Sequence, residues 1–489
     1  MAKPDIHHHQ DLYKQGFGDL TTIRCNSRTA INESQKQRRE CLMISKRLKV
    51  DTLEEADLFL TDQEEKSTVE NATKLLKHGK KHEGLSTLHK SFARNVKNAV
   101  TFLSCGGLNA LNTCFMSRDV EVLHAAAWCA INLAAADSHS VPNVIRLSPM
   151  LIQFLQGSDI VMQELCAWAI ANLAGDSQAN ITRLREQGCI SHLVHLISSS
   201  WDKEHESRSQ SVLLALINLA KDKTHACTCL MLDNRLYTTI QALLQSSRSV
   251  NNLSYEIGWL VYSIYSRQET WLKYESHYPI ILHLLINKLA QLLQDGENNQ
   301  IDQIILPYLR CLGNIIGFST ELAISASQSL QFYSSVNLCL SCENELIVCE
   351  TLWLLKNFTA DPSCRLLIVF QTNIFKDILK LCQHSDKDIA TEAVYLVDAA
   401  TKISKQVNSY LVQQGIIQHL LALLKLNNAQ MYELSLGILV HLIEDPQAKK
   451  EFAAADGECL ISSFTEGYVQ DSTRAMAHIL LEKVAKTVA

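Results

Sequence analysis

Apolar residues along most of this chain recur three and four positions apart, the spacing that gathers them on one face of a helix, and the strict alternation a strand requires is scarce. Residues 164–176, E-L-C-A-W-A-I-A-N-L-A-G-D, show the pattern in its clearest form. Leu165, Ala169 and Leu173 predict a buried column, Glu164, Trp168 and Asn172 form a second column at the same spacing, and Gly175 is expected to end the helix. The second column suits a groove better than a core. An indole offers a flat face to the methylene stem of a cation, an amide holds an extended backbone by donor and acceptor together, and a carboxylate selects positive charge.

The pattern recurs. Trp128 with Asn132, Leu214 with Asn218, Trp259 with Ser263, Arg310 with Asn314, Trp353 with Asn357 and Tyr395 with Ala399 follow the same i, i+4 grammar. From position 128 onward the intervals, counting Trp168, are 40, 46, 45, 51, 43 and 42 residues. Such a period, with several helices per unit, is the mark of armadillo or HEAT arrays and predicts an all-α, right-handed superhelical solenoid. Gly188 and Gly415 each precede an apolar i, i+3, i+4 helix and should break the chain there, as should Gly107 before Leu108 and Leu111. The last helix, within 471–488, is expected to turn Met476, Ile479, Leu480 and Val484 inward as a cap.

A chain of 489 residues would ordinarily split into several compact domains, but stacked repeats bury themselves against neighbours and remove that need. Sixteen cysteines sit mostly at apolar helical positions such as Cys129, Cys166 and Cys311, and read as small core residues in a reducing compartment. Cys339 and Cys342 make a C-x-x-C with Cys349 beyond, yet no second ligand pair stands at zinc spacing, so core packing is the reading and no metal is expected. The apolar window 278–293 is interrupted by His283, Asn287 and Lys288, and no clean membrane span is predicted. A cytosolic or nuclear protein is expected.

Residues 1–23 are polar, with His7, His8 and His9 in a row, and are expected to be unstructured. Residues 24–49 carry eight basic side chains, Arg38, Arg39, Lys46, Arg47 and Lys49 among them, against two acidic ones. That segment is +6 in a chain whose total is −6, so the remainder carries −12. A basic arm on an acidic body can bind an acidic protein, bind nucleic acid, or fold back on its own groove. Residues 50–71, with Asp51, Glu54, Glu55, Asp57, Asp62, Glu64 and Glu65, read as an acidic linker with one helix, and the repeats, about nine or ten, are expected over 72–489.

With these residues in view, the sequence resembles importin-α, the adaptor that carries basic nuclear localisation signals to importin-β, over roughly residues 24–488. A-A-W-C-A-I-N-L-A, L-C-A-W-A-I-A-N-L-A-G-D, L-R-C-L-G-N-I and C-E-T-L-W-L-L-K-N-F-T-A-D are similar to that family's successive ladder helices, and the arm ending S-K-R-L-K-V is similar to a reduced importin-β-binding segment. Within the family, length and this ending are most similar to a divergent animal branch named for transmembrane and coiled-coil domains. The resemblance implies a major peptide site at Trp128, Asn132, Glu164, Trp168, Asn172 and Asn218, with Asp176 receiving a key lysine and Gly175 keeping its approach open. It implies a minor site at Arg310, Asn314, Trp353, Asn357 and Tyr395, with Glu350 and Glu392 selecting lysine or arginine. The arm would bind the carrier or, without it, occupy the groove. Leu214, Ser263, Ala399 and Tyr395 depart from the family's ladder, and Val141 stands where a threonine is usual. Each lost tryptophan removes on the order of 0.5–2 kcal/mol of cation–π contact, which predicts weaker or narrower signal binding.

Helices pack about 8–10 Å apart and an extended chain covers roughly 3.3–3.6 Å per residue, so each repeat meets about two or three residues of a bound peptide. The resemblance implies a nuclear import adaptor, and the alternative is an armadillo scaffold that no longer binds localisation signals. No phosphate-cradling loop, H-E-x-x-H or G-x-S-x-G motif supports an enzyme, no cofactor is implied, and the −12 body opposes nucleic-acid binding.

Overall fold

A computed structural model describes residues 61–485, apart from 136–142, 200, 202–204, 247–252, 295–300, 371–372, 426–428 and 467–468. The basic arm, with Arg38, Arg39, Lys46, Arg47 and Lys49, lies outside the described residues, as does Val141. Every regular element among the described residues is helical. The chain divides into two compact units, Met1–Ser177 and Gln178–Ala489.

In the first unit the acidic stretch supplies a helix start. Thr61 and Glu64 form a reciprocal capping box, and Asp62, Glu64 and Glu65 fill the first turn of Asp62–Lys77, where the helix dipole favours negative charge. This helix crosses residue 72, where the repeats were expected to start. Three longer helices, Lys81–Arg94, Val120–Ala134 and Ile160–Asp176, lie side by side and carry the ladder positions, with shorter helices between them. Their register is pinned at the N-termini. Asp119 caps Val120–Ala134 and meets His82 Nε2 at 2.7 Å; Asp159 caps Ile160–Asp176 and meets His124 Nε2 at 2.7 Å.

The second unit repeats the plan. Glu206–Leu219, Leu253–Tyr265, Ile301–Ile316, Glu345–Phe358, Lys387–Thr401, Ala429–Leu442 and Asp471–Ala485 are its ladder helices, each against the next. The tie between starts recurs with a different pair, Asn344, which caps Glu345–Phe358, donating to Asp302 Oδ2 at 3.0 Å. The core lies between successive helices and includes the fully buried Tyr265, Tyr308 and Phe358.

Gly188 and Gly415 both have φ of 78°, the left-handed turn their sequence context called for. Three expectations need correction. The turn before Leu108 is made by Gly106, at φ 67°, while Gly107 opens the next helix and has no room for a Cβ, which would lie 2.2 Å from the Phe102 ring. Gly175 does not end its helix, which continues through Asp176 and stops because Ser177 is extended. In the last helix the buried face is Thr473, Ala477 and Leu480, and Ile479 is exposed. Arg235 and Asp456 also adopt positive φ, 68° and 55°, between short helices where other repeats use glycine.

Cys129, Cys166, Cys311 and Cys339 are buried among apolar helices, and burial pushes their thiols up, away from the reactive thiolate. Cys342 is half-buried and points its sulfur at Asp302 Oδ1, 3.6 Å away. No helix among the described residues is long and apolar enough to cross a membrane.

Candidate functional site

The ladder helices of the first unit bring His89, Trp128 and Trp168 into one aromatic column. The His89 and Trp128 rings stand 5.5 Å apart between centroids, and Trp128 meets Trp168 edge to face, also at 5.5 Å. A methylene stem sandwiched between two aromatic faces needs roughly 7–8 Å, twice a carbon contact of about 3.5–4.0 Å. At this separation the Trp128 and Trp168 rings leave no room for a stem between them, and Trp168 is only 7% exposed. His89 was not singled out by the Trp/Asn pattern, although it lies 39 residues before Trp128, at the repeat spacing. Burial, and then the neighbouring Lys90 ammonium, holds its pKa below the ordinary histidine value, so the ring is neutral at pH 7 and does not repel a cation.

Two of the ladder amides make the same bond, one in each unit. Asn172 Nδ2 donates to the carbonyl of Ile131 at 3.2 Å, and Asn357 Nδ2 donates to the carbonyl of Gly313 at 3.0 Å. Each acceptor is the residue just before the preceding ladder asparagine, Asn132 or Asn314. One amide proton is thereby used to join two ladder helices, which fixes the orientation of the group. Asn132 differs. It is buried, and its Nδ2 has no hydrogen-bond partner among the described residues. A buried donor without a partner costs roughly 1–3 kcal/mol.

Glu164 and Asp176 are half-buried on the Trp168 helix, and Asp176 is its last residue, where the negative end of the helix dipole adds to the attraction for a cation. The aspartates at the same distance from the ladder asparagine in later repeats have another task. Asp222 is wholly inaccessible and accepts from Gln178 Nε2 at 2.7 Å, Thr224 Oγ1 at 2.8 Å and the Cys227 amide at 3.1 Å. Asp361 accepts from the Ser363 and Cys364 amides at the start of Pro362–Phe370. In the second unit Asn218 has its oxygen engaged by Lys221 Nζ at 2.7 Å, and Ser263 turns back onto the Trp259 carbonyl at 2.7 Å.

The expected minor site is assembled but already paired. Arg310, 5% exposed, donates from Nε to Glu350 Oε1 at 2.8 Å, and its guanidinium carbon lies 6.0 Å from the Trp259 ring. One repeat later Lys356 Nζ is 2.8 Å from Glu392 Oε2 and 4.5 Å from the centre of the Tyr395 ring. Glu350 and Glu392, expected to select basic side chains of a partner, thus hold basic side chains of this chain. Asn314 donates to the Arg310 carbonyl of its own helix at 3.0 Å. Trp353 lies against Gly313, where a Cβ would come 2.3 Å from the indole.

Similarity to solved structures agrees with this architecture. An engineered protein superposes with a TM-score of 0.70 at 18% identity, over 86% of this chain and 99% of its own. A chain from a structure concerning the phosphorylation-controlled interaction between cadherin and beta-catenin superposes with a TM-score of 0.61 at 12% identity, over 85% of this chain and 86% of its own. The fold is an all-α armadillo-repeat solenoid. In sequence, the armadillo chain is 26% identical to importin subunit alpha-9 of Arabidopsis thaliana over 72% of its length and 71% of that protein. It is also 26% identical to importin subunit alpha-2 of Oryza sativa over 81% of its length and 77% of that protein. No protein-family model matches.

Proposed function

We propose that this chain is a nuclear import adaptor, a non-enzymatic carrier that takes up basic localisation signals on the ladder of its first unit. The basic arm at 24–49 would join the cargo to an importin-β-type carrier, and the work would run between cytoplasm and nucleus. The observation that carries the reading is the Asn132 amide, buried beside the aromatic column with an unused donor. The similarity to importin alpha subunits of two plants supports the same reading. A lysine of the cargo would lay its stem on the Trp128 face and aim its ammonium at Glu164 or Asp176. The asparagines would hold the peptide backbone.

The test is anisotropy of a fluorescent lysine-rich peptide titrated with the full chain. Asn132→Ala should weaken binding about tenfold, one amide pair being worth about 1–1.5 kcal/mol. Neutralising Arg38, Arg39, Lys46, Arg47 and Lys49 to alanine should tighten it if the arm competes for the groove. A wild-type chain and an arm-neutralised chain that both ignore the peptide would sink the adaptor reading.

A second reading is favoured by the paired acids of the second unit. A scaffold that no longer binds localisation signals would keep Glu350 and Glu392 tied to its own Arg310 and Lys356. Preference for a non-basic partner in the same titration would select it.

A further inference from the structure

Lys356 sits one residue before the ladder amide Asn357, on the helix that also carries Trp353. Its ammonium makes the two contacts that a lysine of a basic peptide would need in the next repeat: a carboxylate at 2.8 Å and an aromatic face at 4.5 Å. The pair is largely withdrawn from water, the side chains of Lys356 and Glu392 being 18% and 15% exposed. We propose that Lys356 is a built-in occupant of the Glu392–Tyr395 pocket, an internal lysine that closes this half of the ladder to basic side chains from outside. The inference deepens the adaptor reading by assigning basic-peptide uptake to the first unit.

The physics favours the resident. A group tethered a few bonds from its pocket is present at an effective concentration in the millimolar range or above, whatever the peptide concentration outside. An incoming ammonium would meet a carboxylate already neutralised and a like charge beside it. Entry therefore requires Lys356 to leave a partly desolvated partner. Arg310 fills the preceding pocket in the same sense, with Glu350 and Trp259 as its carboxylate and ring, so two consecutive positions of the ladder are satisfied from within. Lys356→Ser removes the resident and leaves the carboxylate and ring in place. Lys356→Met removes the charge but keeps a stem of similar length over Tyr395.

The experiment is calorimetric titration of the full chain with a short lysine-rich peptide, comparing wild type, Lys356→Ser, Lys356→Met and the double variant Lys356→Ser, Glu392→Gln. A photoreactive version of the peptide maps where each equivalent binds. Wild type should take one equivalent, crosslinked in the first unit, and Lys356→Ser a second one in the Tyr395 repeat, at least tenfold tighter there than in wild type. That second equivalent should be lost in the double variant and much weaker in Lys356→Met. One equivalent in both wild type and Lys356→Ser overturns the proposal while the adaptor reading stands. A second equivalent in wild type overturns it as well, because the pocket would then be open. Binding only in Lys356→Ser supports the proposal and removes the first-unit reading, and no binding anywhere overturns both. Should Lys356→Ser fail to fold, amine acylation of the wild-type chain decides. Lys356 should react at least tenfold more slowly than Lys405, whose side chain is 89% exposed, and equal rates overturn the proposal.

Discussion

Asp222 provides the sharpest test of how the second unit holds its ladder. Its carboxylate is inaccessible to water and collects donors from three places. Gln178 and Arg185 come from the helix Gln178–Glu186, Thr224 from the turn, and the Cys227 amide from the start of the helix Ala226–Asp233. Its own carbonyl accepts from Arg267 Nη1 at 2.9 Å, one repeat further on. Three segments are thus tied to the turn that follows the Asn218 helix. Removing one partner of a buried, hydrogen-bonded charge pair costs about 3–5 kcal/mol, so Asp222→Ala should lose that much, and Asp222→Asn, which keeps one good acceptor, about 2–3 kcal/mol.

The pH dependence has a definite sign. Burial opposes ionisation of Asp222, but the hydrogen bonds from Thr224, Gln178 and the Cys227 amide outweigh it and hold the carboxyl well below the usual carboxylate range. A depressed folded pKa contributes stability that is full above the unfolded value of about 3.9 and disappears as pH falls toward the folded one. Urea titrations followed by circular dichroism, with wild type and Asp222→Asn compared from neutral pH downward, read this directly. The gap between them should be constant above about pH 5 and narrow below about pH 4. A loss under about 1 kcal/mol at neutral pH, or a gap unchanged in acid, would refute the argument that this carboxylate organises the turn.

Other consequences are smaller and separable. Gly313→Ala should destabilise by about 1–3 kcal/mol and alter indole fluorescence, because a Cβ there would stand 2.3 Å from the Trp353 ring. Arg235→Gly should stabilise by about 0.5–1 kcal/mol in urea titrations, since a left-handed conformation at φ 68° costs an arginine roughly 1–2 kcal/mol and glycine recovers part of that. Asn172→Ala should cost about 1 kcal/mol of stability through its lost bond to the Ile131 carbonyl, whereas Asn132→Ala, whose Nδ2 has no partner, should leave melting nearly unchanged while weakening peptide binding. Binding of a lysine-rich peptide should weaken in acid as His89 protonates, at a pH below the ordinary histidine value, and His89→Phe should abolish that dependence.

What the sequence made legible was the periodic part of the problem. A ladder position carrying Trp or its substitute four residues before an Asn or its substitute, repeated at intervals of 40 to 51, locates ladder helices without any structure, and Gly188 and Gly415 announce left-handed turns because few other residues adopt them cheaply. Where a repeat solves the same problem with an unexpected residue, the signal vanishes. Arg235 and Asp456 make the turn elsewhere, and His89 stands in the aromatic column with neither Trp nor Asn to mark it. The charges were less legible still. Glu350 and Glu392 read as free selectors of positive charge because their partners, Arg310 and Lys356, are 40 and 36 residues away in sequence and meet them only across adjacent helices. The same holds for the aspartate four residues after the ladder asparagine. At Asp222 it is a structural hub and at Asp361 a helix cap, so in both places the carboxylate helps to start the next helix. In a repeat array each such residue has a neighbour one period away, and function can reside only where that neighbour leaves a donor or a charge unspent. Asn132 meets that condition in the first unit, and Lys356 is the residue whose removal would create it in the second.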